Sequence, residues 1–225
     1  MIIDERMAVF IDSLDRGNTA LLDGIERAAL EERIPIIRRS MQSLLKFLLA
    51  LRRPENILEV GTAVGFSALL MSEYGPKGCR ITTIEKDQGR LAAARENFRL
   101  AGREEQITLL EGDALEILQD LESSYDMIFM DAAKGQYLHF FPEVMGLLAP
   151  GGLLVSDNVL QDGEIIQSRY AVTRRNRTIH GRMREYLYQL KHHPALETVI
   201  LPVGDGAALS VKVRDSDNSG FGTRC

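Results

Sequence analysis

The chain has 225 residues, which suits one generous domain at roughly 150 residues per domain better than two small ones. Its 45% hydrophobic and 26% charged residues are ordinary globular values and exclude a disordered, collagenous or coiled-coil chain. The 27 Lys and Arg against 32 Asp and Glu leave a net charge of -5, so a polyanionic partner would have to meet a local basic patch.

The amino-terminal region carries Asp4 and Glu5 where a secretory leader would be basic, and no run approaches 18 apolar residues. Cys79 and Cys225 are too far apart in sequence to suggest a disulfide framework. A cytoplasmic protein without a membrane span is the expectation.

Residues 4–52 read as helical, with Met7, Phe10, Ile11 and Leu14 at helical spacing and Ile37, Met41, Leu44, Leu45 and Leu48 repeating it. Pro35 is expected to start the last of these helices. From residue 56 the rhythm changes to short apolar strands, at 57–60, 80–84, 107–110, 126–130 and 152–156. Helical segments lie between them at 64–74, 87–101, 114–121 and 135–148, the last expected to be shortened or kinked by Pro142.

A long helical stretch follows near 169–193, then strands at 197–201 and 207–213 joined through Pro202-Val203-Gly204-Asp205-Gly206 as an antiparallel hairpin. The polar, Gly/Ser-rich residues 214–225 read as a disordered tail. The pattern predicts one α/β domain over residues 1–213: an N-terminal helical segment, 1–52, and a Rossmann-like core, 56–213. Its doubly wound, seven-stranded sheet is mostly parallel and ends in the hairpin.

The turn Glu59-Val60-Gly61-Thr62-Ala63-Val64-Gly65 follows the first strand and opens a helix, where a doubly wound fold binds nucleotide-like ligands. Its Gly-x-x-x-Gly spacing lacks the G-x-G-x-x-G of dinucleotide sites, and no P-loop Lys follows. Glu85 ends the second strand, where a carboxylate can accept from a ribose diol, and Asp113-Ala114 after the third strand could face an adenine. A nucleoside cation met by acidic groups, with Glu59 and Asp131 nearby, suits S-adenosylmethionine better than NAD. The competing reading is a tight turn of glycines beside helix caps.

Asp131 ends the fourth strand and Asp157-Asn158 the fifth, so three oxygen ligands project from neighbouring strand ends. Two carboxylates and an amide form a hard site for Mg²⁺ or another divalent cation, with positions left for water and substrate. His139, His180, His192 and His193 show no metal-ligand spacing, which disfavours zinc. Lys134, three residues after Asp131, is the candidate general base. The alternative is that these Asp and Asn residues are ordinary caps and turn formers.

Six arginines, Arg169, Arg174, Arg175, Arg177, Arg182 and Arg184, fall in a segment without an acidic residue. Beside the proposed ligands they read either as an anion site, with His180 and Tyr170 interleaved for RNA, or as a solvated helix face.

In this order, EVGTAVGFSA, TIEKD, EGDALEIL, MDAAKGQY, SDNVL and PVGDGAALS resemble the cation-dependent class I O-methyltransferases, the family of the catechol and caffeoyl-CoA enzymes, over roughly residues 33–213. The resemblance implies that Asp131, Asp157 and Asn158 hold the cation and that Glu59, Gly61, Ser67, Glu85 and Asp113 line the S-adenosylmethionine site. It also implies that Lys134 is the base and, together with the amphipathic N-terminal helices, that the protein is a homodimer. No Trp follows the Asp157-Asn158 pair, where plant-type members usually carry one.

Within the family, MDAAKGQYLHFF, the Arg-rich segment and HHPALETVILPVGDGAALS are most similar to the branch that methylates 5-hydroxyuridine in bacterial tRNA. That likeness implies an anticodon loop as partner, with Arg174, Arg175, Arg177 and Arg182 on the RNA. 5-Hydroxyuracil presents vicinal oxygens that chelate a metal as a catechol does. A small-molecule catechol methyltransferase is the competing expectation; a dinucleotide oxidoreductase and a non-catalytic RNA-binding protein are further ones.

Overall fold

Short apolar segments alternating with amphipathic ones build three layers in the computed structural model, which describes residues 4–168 and 170–213. The strands are β1 (Asn56–Val60), β2 (Arg80–Glu85), β3 (Ile107–Glu111), β4 (Tyr125–Met130), β5 (Leu148–Ser156), β6 (Leu196–Leu201) and β7 (Ala207–Lys212). They form one sheet in the order β3-β2-β1-β4-β5-β7-β6. The first five pair in parallel, and β7 runs antiparallel to both β5 and β6. This is the mostly parallel, seven-stranded sheet with a C-terminal antiparallel hairpin that the periodicity predicts.

The helices are α1 (Glu5–Ser13), α2 (Ala20–Glu31), α3 (Arg39–Arg52), α4 (Phe66–Tyr74), α5 (Gln88–Ala101), α6 (Ala114–Asp120), α7 (Tyr137–Leu147) and α8 (Arg177–His192). Short 3₁₀ segments cover Lys134–Gln136 and Gln161–Ile166. Successive strand residues point to opposite faces, so one sheet face sends Ile57, Met127, Phe129 and Val155 against α2, α3, α4 and α5. The other sends Leu58, Ile128, Met130 and Leu154 against α6, α7 and α8. Burial on both faces is why β4 reads as a continuous apolar run from Met127 to Met130 and β1 as one broken by Glu59.

Several boundaries depart from expectation. Residues 4–52 are three helices separated by loops, and the last begins at Arg39 instead of at Pro35. Pro35 lies in the irregular segment before α3, which lines a cavity. Pro142 neither shortens nor breaks α7, because the flanking Tyr137, Phe140, Phe141 and Val144 are buried and hold the helix against the sheet. The long helix expected near 169–193 starts only at Arg177; residues 170–175 form turns in which Val172 alone is buried. Arg169 and the expected disordered tail, 214–225, lie outside the described residues. Among the described residues no helix is long and apolar enough to cross a membrane.

Candidate active site

Strand order reverses between β1 and β4, and the crevice at their carboxyl ends opens into a cavity of about 690 Å³. The ladder continues past the strands: Asp131 N donates to Val60 O at 3.0 Å, and Asp157 N donates to Met130 O at 3.0 Å. These bonds set Asp131 and Asp157 side by side on adjacent strand ends, about one inter-strand spacing of 4.8 Å apart. The Tyr137 hydroxyl lies 2.9 Å from Met130 O and 3.0 Å from Asp157 O, so α7 clamps both strand ends from behind.

One end of the cavity is built by the β1–α4 turn. Gly61 has φ 105°, and a Cβ there would collide with the Asp131 carbonyl, so only glycine lets the turn approach β4 this closely. Gly61, Thr62, Ala63 and Ser67 line this end together with Glu85, Asp113 and Ala114. The Glu85 carboxylate accepts from Ala63 N at 2.9 Å, Lys86 N at 2.9 Å and Asp87 N at 3.0 Å, which fixes its orientation. Asp113 caps α6 by accepting from Leu115 N and pairs with Lys86. Its capping role and its place in the cavity coexist.

Two expected cofactor residues do not line the cavity. Gly65, at φ 83°, packs its missing side chain against the Phe98 ring, so its glycine serves helix packing. Glu59 is fully buried behind the turn, accepting from Thr83 Oγ1, while Thr83 in turn contacts Thr62 Oγ1. Glu59 Oε1 has no hydrogen-bond partner, and burial, outweighing the Ser67 and Thr83 hydroxyls, raises this carboxyl to about 7.

The other end gathers Asp131, Lys134, Asp157 and Asn158. Burial, then the neighbouring Asp157 and Glu59, push Asp131 well above the usual carboxylate range, with Lys134 pulling the other way. Burial also lifts Asp157 to about 6, against the hydrogen bond from Asn158 N at 2.7 Å. Asn158 adopts φ 57°, which asparagine tolerates better than most side chains. Among the described residues no group of three or more His, Cys, Asp or Glu side chains could hold a metal ion. A cation here would depend on two carboxylates, the Asn158 amide oxygen and water.

Three cavity residues were not singled out from the sequence. Asp205, in the β6–β7 turn, is 4% exposed and receives Lys134 Nζ at 2.7 Å. Its other oxygen accepts from Asp162 N. The Asp162 carboxylate pairs with Arg38 at 3.1 Å, and both residues line the cavity. The signal for Asp205 was its turn: an antiparallel strand beside β5 has to begin at the carboxyl edge of the parallel strands.

The arginines divide. Arg182 donates to Gly135 O at 3.0 Å, Arg184 to Ile165 O at 3.0 Å and Arg177 to Val172 O at 3.3 Å, so all three tie α8 to its surroundings. Arg174 and Arg175 are exposed in the turns before α8, and Tyr170 beside them is 86% exposed. The Arg182–Gly135 bond places the start of α8 next to the Lys134 turn.

The O-methyltransferase family profile matches residues 14–213. A catechol O-methyltransferase from Niastella koreensis is 38% identical over 126 residues, an alignment spanning 54% of this chain and 57% of that enzyme. A Staphylococcus aureus structure provisionally assigned as a caffeoyl-CoA O-methyltransferase superposes with a TM-score of 0.85 at 31% identity, covering 93% of this chain and 100% of that one. The SAH-bound methyltransferase PaMTH1 of Podospora anserina gives a TM-score of 0.83 at 27% identity, covering 94% and 95%. The chain therefore belongs to the O-methyltransferase family that includes the catechol and caffeoyl-CoA enzymes, and is an S-adenosylmethionine-dependent O-methyltransferase.

Proposed function

We propose that the protein methylates the 5-hydroxyl of 5-hydroxyuridine at the tRNA wobble position, giving 5-methoxyuridine, with S-adenosylmethionine as donor and a divalent cation such as Mg²⁺. The reading rests on one observation above others: Asp131, Lys134, Asp157 and Asn158 share a cavity with the 61–63 turn, Glu85 and Asp113. When bound, the cofactor supplies a sulfonium methyl and the cation acidifies a chelated hydroxyl.

The donor set fits such a cation. Its ligands are all oxygen, and two buried carboxylates held above their usual range would be relieved by a positive charge between them. Asp131, Asp157 and Asn158 would hold it, while Glu85 and Asp113 would receive the nucleoside. Lys134 would take the hydroxyl proton, and the surrounding walls would orient the acceptor toward the methyl.

For RNA, the support is the exposed Arg174 and Arg175 with Tyr170 in the turns before α8, a phosphate-binding and base-stacking set that a small diol does not need. Arg177 and Arg182 add charge on α8 while holding their backbone bonds. A second reading, a small-molecule catechol acceptor, draws on the 38% identical relative named for catechol. A cytoplasmic homodimer completes the proposal. Its support is α1, which buries none of its side chains and leaves Met7, Phe10, Ile11 and Leu14 exposed; sedimentation velocity would return a single-chain mass if no second copy covers them.

The protein is incubated with Mg²⁺, labelled S-adenosylmethionine and tRNA carrying 5-hydroxyuridine, beside a catechol control, and the tRNA is digested for mass spectrometry. Labelled 5-methoxyuridine is the expected product; label in catechol alone transfers the proposal to the second reading. Asp157→Ala and EDTA should each abolish turnover, and activity surviving both removes the cation from the mechanism.

A further inference from the structure

The strongest unassigned group in the molecule is the Asp205 carboxylate. A hairpin turn ordinarily projects into solvent, yet this one is docked inward. Leu160 N donates to Asp205 O at 2.9 Å, and Val159 N donates to Gly206 O at 3.0 Å. Gly206, at φ 89°, leaves no room for a Cβ against the Leu160 side chain, so the turn and the segment after Asn158 lie in direct contact. Asp205 is thereby fixed at 4% exposure with both oxygens committed, one to Lys134 Nζ at 2.7 Å and one to Asp162 N.

We propose that Asp205 is the positioning residue for Lys134, holding the amine at the acceptor end of the cavity and coupling it to the segment before α3 that lines the cavity. The proposal rests on the reading of Lys134 as the proton acceptor: the neutral amine takes the hydroxyl proton, and the Asp205 carboxylate pairs with the ammonium that forms. Lys134 sits in a single 3₁₀ turn, and its flexible four-carbon stem would otherwise sample many rotamers. A buried carboxylate with a backbone-anchored second oxygen removes that freedom. The coupling runs through Asp162, whose backbone N–H is held by Asp205 while its carboxylate holds Arg38. Arg38 belongs to the segment before α3 that lines the cavity.

The test uses Asp205→Asn, which keeps an oxygen for Asp162 N and replaces the charged acceptor facing Lys134 with an amide NH2. Turnover of 5-hydroxyuridine tRNA and of catechol is measured for the parent, Asp205→Asn, Lys134→Ala and the double variant. With melting temperature and cofactor affinity unchanged, Asp205→Asn should lower kcat by about ten- to a hundredfold, the scale of a misplaced reacting group, with little change in KM. In the Lys134→Ala background the same change should cost nothing further.

An equal loss in both backgrounds overturns the proposal, because Asp205 would then act through the backbone alone. Full activity of Lys134→Ala instead overturns the base assignment and the proposal with it. A readout independent of turnover is acetylation by acetic anhydride followed by peptide mass spectrometry. Lys134 should label several-fold faster in Asp205→Asn than in the parent, with exposed Lys77 as internal reference. Unchanged labelling would show that Asp205 does not restrain the amine.

Discussion

Glu59 shows how a single side chain can be placed at stability's expense. A carboxyl with no access to water and one unpartnered oxygen resists ionisation, and here burial lifts it from the ordinary 4.5 to about 7. A carboxyl raised on folding contributes its full stability below the unfolded value, and that contribution is lost as pH rises through about 7. Above that pH the ionised form costs the fold up to roughly 3 kcal/mol at 1.36 kcal/mol per unit. In the cofactor-free protein, Glu59→Gln should therefore gain in melting temperature over the parent as pH is raised from 4.5 to 8. A gap that stays constant over that window would mean that Glu59 titrates as a free carboxyl.

At the scale of elements, the β1–α4 turn and the β6–β7 turn do the assembling, and both depend on glycines that admit another backbone or side chain. Gly61→Ala should force the Asp131 carbonyl away and impose a left-handed φ on alanine, a loss of more than about 1 kcal/mol. Because Asp131 moves with it, cofactor and cation affinity should fall together; isothermal titration that finds either one intact would separate the two ends of the cavity. The first turn was legible in the sequence because strand, glycine spacing and helix are contiguous, and so were Asp131, Asp157 and Asn158, each following its own strand. Asp205, Asp162 and Arg38 were not, since their meeting depends on a hairpin docking 43 residues after Asp162 and on a loop ahead of α3. Gly65 and Glu59 lie off the cavity lining for a related reason: motif spacing locates a turn, but packing decides which of its residues line the cavity and which face Phe98 or Thr83.

For the molecule as a whole, a net charge of -5 opposes any polyanion at long range, so the proposed RNA binding would be a local affair carried over a short screening distance. The described arginines that remain exposed before α8 are Arg174 and Arg175, and Arg182 anchors that helix to Gly135. Each cation that neutralises a phosphate of a single strand releases counterions and contributes about 0.7 to the slope of log K against log salt. Replacing both with alanine should therefore weaken tRNA binding and flatten that slope by about 1.4, while the catechol rate and the melting temperature stay as in the parent. Arg182→Ala should behave differently, because removing it frees Gly135 O and loosens the Lys134 turn, so turnover of both acceptors should fall together. If the salt slope is unchanged in the double replacement, these arginines are a solvated surface, and the cavity serves a small diol that reaches it without them.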